Sequence, residues 1–179
     1  KIESTELLNN SACRVCLVLP EGIPSECLVL FEFTLRCARA YPDMKFIWRM
    51  HPILPFESLK LQTSDLKDLP ENITISQLTI EEDIERSSQV LYRGSTAIVQ
   101  AVVAGLKPIY LELPDELSID PLYEVACGRE IISIPEELQK IIFSHREEVD
   151  VQVELEQVQK YCQLFFQPFN VSAMSSLIQ

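Results

Sequence analysis

The chain has 179 residues, 47% of them hydrophobic, and a formal net charge of −12. That size suits one ordinary domain of roughly 100–200 residues with enough apolar content for a packed core, and speaks against a second full domain. The acidity excludes a general DNA or RNA binder, because phosphate neutralisation needs clustered Lys and Arg, and no apolar run reaches the roughly 18 residues of a spanning helix or forms a signal peptide.

Residues 1–12 read as a linker or domain edge, and a chain that starts at Lys1 rather than Met is expected to be a piece of something larger. Arg14–Leu19 is a short continuous apolar run, a strand signal, closed by Pro20-Glu21-Gly22. Pro24-Ser25-Glu26 opens a helix carrying Leu28, Phe31, Leu35 and Ala38, stopped at Tyr41-Pro42. Lys45–Met50 reads as a strand ending in His51-Pro52. The polar stretch Pro55–Pro70 reads as a loop with a short helix, and Ile73–Ile75 as a brief strand.

Thr79-Ile80-Glu81-Glu82 has the form of a capping box and starts a helix toward Arg86. Val90–Tyr92 is a strand, followed by Gly94-Ser95-Thr96 and a helix over Ala97–Ala104 ended by Gly105. Lys107–Leu113 and Glu130–Ser133 are the remaining strands, with a helix from Pro135 and a long amphipathic segment over Asp150–Phe166. Short apolar strands alternating with helices predict a three-layer α/β domain over residues 13–145, its mostly parallel sheet covered on both faces. Residues 146–179 form a C-terminal helical segment that packs on this domain or on a missing one.

The six cysteines offer one C-x-x-C, Cys13 and Cys16, with no second pair or His cluster to complete a zinc site. They read as small buried apolar residues in a reducing compartment, and no metal site is expected. The sequons at Asn72 and Asn170 matter only in a secreted protein and are discounted.

In parallel sheets ligands bind outside the carboxyl ends of the strands. Gly94-Ser95-Thr96 is the strongest signal there: a glycine for a tight turn and two hydroxyls where a helix begins, suited to a phosphate, with Arg93 available for a bidentate contact. An ordinary N-cap explains the same residues. His51, its exit fixed by Pro52, can donate to a phosphate or leaving oxygen, with Arg49 supporting the same anion. His145, the other histidine, lies in a polar helical stretch. Glu81, Glu82 and Asp83 are candidates for the ribose hydroxyls, Glu81 and Glu82 preferred, although Glu82 also closes the capping box.

Glu21-Gly22 offers a flexible turn near a phosphate without the remaining glycines of a dinucleotide fingerprint. The acidic loop Leu113–Glu124, tipped by Tyr123, is placed to meet a donor sugar or to stay a solvated surface. Residues 44–56 and 87–111, which hold His51 and Gly94-Ser95-Thr96, contain four basic residues and no carboxylate. A local anion site is thus compatible with global acidity.

His51-Pro52, Ser95-Thr96 and the stretch from Tyr92 through Ala101 to Gly105-Leu106-Lys107-Pro108 together resemble the C-terminal, donor-binding Rossmann-like domain of a GT-B glycosyltransferase. The closer likeness is to bacterial surface-polysaccharide enzymes with HP and S-S/T motifs, the sialyl-, polysialyl- and Kdo-type transferases that use CMP-sugars. The resemblance implies a nucleotide-sugar donor as substrate, no required cofactor, and His51 stabilising the leaving phosphate. It further implies a general base and a glycan acceptor site on a missing N-terminal domain, so that the fragment alone is inactive. A cytoplasmic enzyme of capsule synthesis, with peripheral inner-membrane association of the full protein, is the matching setting. Gln100 stands where many GT-B enzymes carry a Glu, a departure from the nucleotide-diphosphate-sugar pattern. A UDP-sugar or CDP-glycerol transferase, a nucleotide-sugar epimerase domain and a non-catalytic protein-interaction module are the alternatives.

Overall fold

A computed structural model describes residues 15–143 and 148–166. Six strands, β1 (Val15–Leu19), β2 (Lys45–Trp48), β3 (Ile73–Ile75), β4 (Gln89–Tyr92), β5 (Lys107–Leu111) and β6 (Glu130–Ile132), form one sheet in the order β3-β2-β1-β4-β5-β6. Every neighbouring pair is parallel. The order reverses direction between β1 and β4, and this switch point opens a crevice at the carboxyl ends of the strands.

Strand alternation divides the core in two, because successive side chains leave the sheet on opposite faces. Cys16, Val18, Phe46, Trp48, Leu91, Ile109 and Ile132 pack with helices α1 (Pro24–Ala40) and α5 (Pro135–Phe143). Val15, Leu17, Leu19, Ile47, Val90, Tyr92 and Tyr110 pack with α3 (Ile80–Glu85), α4 (Ile98–Val103) and α6 (Glu148–Gln163). The three layers match the predicted fold class, with a sheet that is wholly parallel.

Pro24 occupies the first turn of α1, where its missing N–H costs nothing, and Tyr41 ends the helix before Pro42. On the buried face of α1, Phe31 stacks on Trp48 with ring centroids 4.1 Å apart and planes within 4°. Cys16, Cys27 and Cys37 are buried, and burial pushes the Cys27 and Cys37 thiols up to about 12. Such thiols are poor nucleophiles; Cys13 lies outside the described residues.

Several expected elements end earlier than predicted. β2 stops at Trp48 rather than Met50; the Arg49 N–H still donates to Val18 O, and its side chain reaches the loop after β3. β5 stops at Leu111 rather than Leu113; the Glu112 N–H still donates to Ile132 O, and Pro114 has no N–H to extend the ladder. The stretch 55–70 holds a short helix α2 (Phe56–Lys60) and a 3₁₀ turn at Ser64–Lys67. The long terminal segment is helical over Glu148–Gln163 and becomes a 3₁₀ turn at Leu164–Phe166.

Gly105 closes α4 at φ 103°, with its own N–H donating to Val102 O and the Leu106 N–H to Ala101 O. This pair of bonds is a Schellman cap, and the positive φ explains why residue 105 is a glycine. α6 lies on α4 through Leu155, Val158 and Cys162, tied by the Gln159 side chain donating to Val102 O. Phe165 and Phe166 are exposed. Asn72, one of the discounted sequons, bridges loops: its side-chain amide donates to Ala38 O at 3.1 Å and Met44 O at 2.8 Å. Asn170 and His145 lie outside the described residues. Among those residues no helix is long and apolar enough to cross a membrane.

Candidate functional site

At the switch point, the ends of β1, β2 and β4 border a cleft of about 510 Å³. It is lined by Glu21, Gly22, Arg49, His51, Pro52, Ile80 and the turn Gly94-Ser95-Thr96-Ala97. A second hollow of about 480 Å³ adjoins it across His51 and Pro52, walled by Phe56, Ser76 and Gln77. Two segments far apart in sequence, His51-Pro52 and Gly94-Ser95-Thr96, thus face one space, as the parallel order requires.

His51 leaves the end of β2 with its Nδ1 accepting a long contact from the Ile53 N–H, 3.4 Å. With Nδ1 as acceptor, Nε2 carries the proton and is the donor of the ring. Gly22 packs against this imidazole: a β-carbon there would lie 2.9 Å from Nδ1 and 3.1 Å from Ile53 Cδ1. Gly22 therefore serves by close approach rather than by flexibility.

Neither Ser95 nor Thr96 caps α4. The capping position is Ala97, with no side-chain hydrogen bond, and among the described residues neither hydroxyl has an intramolecular partner. The backbone turns through Ile98 N–H to Ser95 O at 3.2 Å and Val99 N–H to Thr96 O at 3.1 Å, and the Ser95, Thr96 and Ala97 amides have no acceptor among the described residues. The N-cap explanation for these hydroxyls does not apply here. The Gly94 N–H is committed: it donates to Glu21 Oε1 at 2.7 Å. Burial raises the Glu21 carboxyl above the usual carboxylate range, with nearby Glu26 adding to the rise, while the Gly94 N–H and Arg93 pull the other way.

Arg93 is not at the cleft. It is 1% exposed, its Nε 3.1 Å from Glu26 Oε2 and its Nη2 3.0 Å from Glu116 Oε2. The first is an ion pair without hydrogen-bond alignment, since neither atom has such a partner among the described residues. Alternation accounts for the correction. Leu91 faces α1, Tyr92 faces α4, and residue 93 returns to the α1 side where Glu26 lies.

Arg49 lines the cleft with its charge already answered. Its Nη1 donates to Asp83 Oδ2 at 2.7 Å and to Leu78 O at 2.8 Å, and Ser76 Oγ donates to Asp83 Oδ1 at 2.7 Å. Asp83 is completely buried, so this network clamps the loops after β2 and β3.

The ribose candidates do not line the cleft. Glu82 Oε2 accepts from the Thr79 N–H at 2.8 Å and the Glu82 N–H donates back to Thr79 Oγ1, the capping box expected from the sequence. Glu81 Oε1 accepts from Gln100 Nε2 at 2.8 Å, linking α3 to α4. Both carboxyls sit below the usual range, held down chiefly by backbone N–H groups at the start of α3. The loop after β5 is also away from the cleft. Asp120 pins it, accepting from Tyr92 OH at 2.8 Å and pairing with Arg129 at 2.9 Å, and Tyr123 projects outward, 67% exposed.

Sequence reading missed Glu21 as the partner of Gly94. Its only signal was its place directly after β1, beside β4 in the strand order. Among the described residues no cluster of three His, Cys, Asp or Glu side chains is disposed to hold a metal ion.

The chain is thus a Rossmann-like α/β domain with a cleft at its topological switch point, the architecture of one half of a GT-B fold. No protein-family model matches the sequence, and no curated protein matches it. Among solved structures it is similar to the glycosyltransferase SnogD from Streptomyces nogalater, at 10% identity and TM-score 0.57, over 91% of this chain and 43% of that one. It is likewise similar to MurG of Acinetobacter baumannii, at 15% identity and TM-score 0.50, over 86% and 46% of the two chains. A third is S. aureus MnaA in complex with UDP, at 13% identity and TM-score 0.51, over 88% and 42%. What they share with this chain is the fold, and the chain spans less than half the length of each.

Proposed function

We propose that this chain is the donor-binding half of a glycosyltransferase and that its cleft takes a nucleotide-activated sugar, with CMP as the nucleotide. One observation carries the reading: His51 and the turn Gly94-Ser95-Thr96, whose two hydroxyls have no partner among the described residues, line the same switch-point cleft. His51 Nε2–H, the hydroxyls and the turn amides are donors that need no reorganisation to meet the charge of a departing phosphate. The reading invokes no metal or cofactor.

The fold supports it, since SnogD is a glycosyltransferase that shares it. CMP rests on the HP and S-T motifs and on Gln100 in place of a Glu. The acceptor, a surface or capsular glycan, and the general base belong to a partner domain. In this reading the full enzyme works in the cytoplasm, peripherally associated with the inner membrane. A UDP-sugar is the second reading, supported by the UDP complex of MnaA.

Calorimetric titration with CMP, CDP and UDP tests the proposal. Saturable binding of CMP in preference to UDP is expected. UDP binding alone would turn the assignment to the second reading, and binding of none at millimolar concentration would overturn both.

A further inference from the structure

We propose that Glu21 is a specificity-determining residue that restricts the cleft to a single phosphate, its carboxylate holding the Gly94 amide that a second phosphate would need. The inference rests on the reading of the cleft as a nucleotide site and names what limits its ligand.

The geometry is that of an anion already in place. Glu21 Oε1 accepts from the Gly94 N–H at 2.7 Å, within the range of charge-assisted hydrogen bonds. The carboxylate covers the glycine so closely that a β-carbon on residue 94 would lie 2.8 Å from Glu21 Cδ and from Oε2. Gly94 is thus shaped around the carboxylate, which occupies the β4 side of the cleft.

The cations nearby carry carboxylates of their own. Arg93, buried behind the turn, is shared between Glu26 and Glu116. Arg49, on the β2 side, is paired with buried Asp83. These carboxylates leave the lining with little net positive charge for a diphosphate. Among the described residues the donors that stay uncommitted are His51 Nε2, the Ser95 and Thr96 hydroxyls and the amides of residues 95–97, all at the same cleft and away from the Gly94 N–H that Glu21 holds. A second phosphate directed toward Gly94 would meet a fixed negative charge at hydrogen-bond distance from the same N–H, and like charges so placed repel strongly when partly buried.

The test is calorimetry of CMP, CDP and UDP against the wild-type chain, Glu21→Gln and Glu21→Ala. Wild type should bind CMP at least tenfold more tightly than CDP. Glu21→Ala, which frees the amide, should raise CDP and UDP affinity about tenfold relative to CMP, a gain of roughly 1.4 kcal/mol in the ratio. Glu21→Gln, which keeps the shape and removes the charge, should shift the CDP:CMP ratio in the same direction. It also serves as the reporter should the alanine variant fail to fold. An unchanged ratio in a folded variant that still binds CMP would overturn the role of Glu21 while leaving the nucleotide site intact. Absence of CMP, CDP and UDP binding in all three proteins would overturn the nucleotide site itself, and this inference with it.

Discussion

The His51 imidazole rests on the α-carbon of Gly22, with 2.9 Å from Nδ1 to where a β-carbon on Gly22 would stand. The contact joins the ends of two neighbouring strands, β1 and β2, and fixes where the ring can lie. Gly22 has no positive φ, so the constraint is space alone.

Gly22→Ala should therefore displace the ring without straining the backbone. We expect CMP affinity to fall about tenfold, the scale of one lost hydrogen bond to a charged group. The melting temperature should stay within a degree or two. An affinity equal to wild type would show that the placement of His51 by Gly22 is irrelevant to binding.

His51→Ala and Ser95→Ala remove donors that serve no capping role in the fold. Each should weaken CMP by about tenfold to a hundredfold, measured by calorimetry, with nearly unchanged thermal unfolding. A large loss of stability with intact affinity would return both residues to purely structural roles.

Asp83→Asn tests the clamp between the loops after β2 and β3. Asp83 is buried and holds Arg49 and Ser76, so the loss of its charge should cost about 2–3 kcal/mol, read from the urea midpoint at constant slope. A cost under about 0.5 kcal/mol would show that Arg49 finds an equivalent partner in solvent.

Glu21 gives stability a pH dependence with a definite sign. Its native carboxyl holds a proton more tightly than the unfolded chain does, chiefly through burial. The native state therefore binds more protons, and Glu21's favourable contribution is full below the unfolded value and is lost as pH rises through the raised one. Glu21→Gln should melt higher than wild type at pH 7, and the difference should vanish as pH falls below the ordinary value of 4.5. A difference independent of pH between 4 and 7 would contradict this.

Local chemistry was legible in the sequence. The capping box of Thr79 and Glu82 involves residues three apart, so its pattern survives in any fold that contains the helix. Gly105 ended α4 for a reason internal to the chain, a positive φ. The apolar runs of β1 and β4 announced strands buried on both faces, and their alternation with helices announced a parallel sheet. From those facts His51-Pro52 and Gly94-Ser95-Thr96 could be placed at strand ends on one side of the sheet.

Which charges meet was decided by the tertiary structure alone. The segments around His51 and Gly94 contain no carboxylate in sequence, a pattern suited to an anion from outside. The fold answers both arginines and the Gly94 N–H there with carboxylates from elsewhere: Asp83 on Arg49, Glu26 and Glu116 on Arg93, and Glu21 on the Gly94 N–H. Sequence windows measure charge along the chain, whereas electrostatic energy depends on distance in space. Strand order sets that distance, and only the order β2-β1-β4 brings the end of β1 beside the turn after β4.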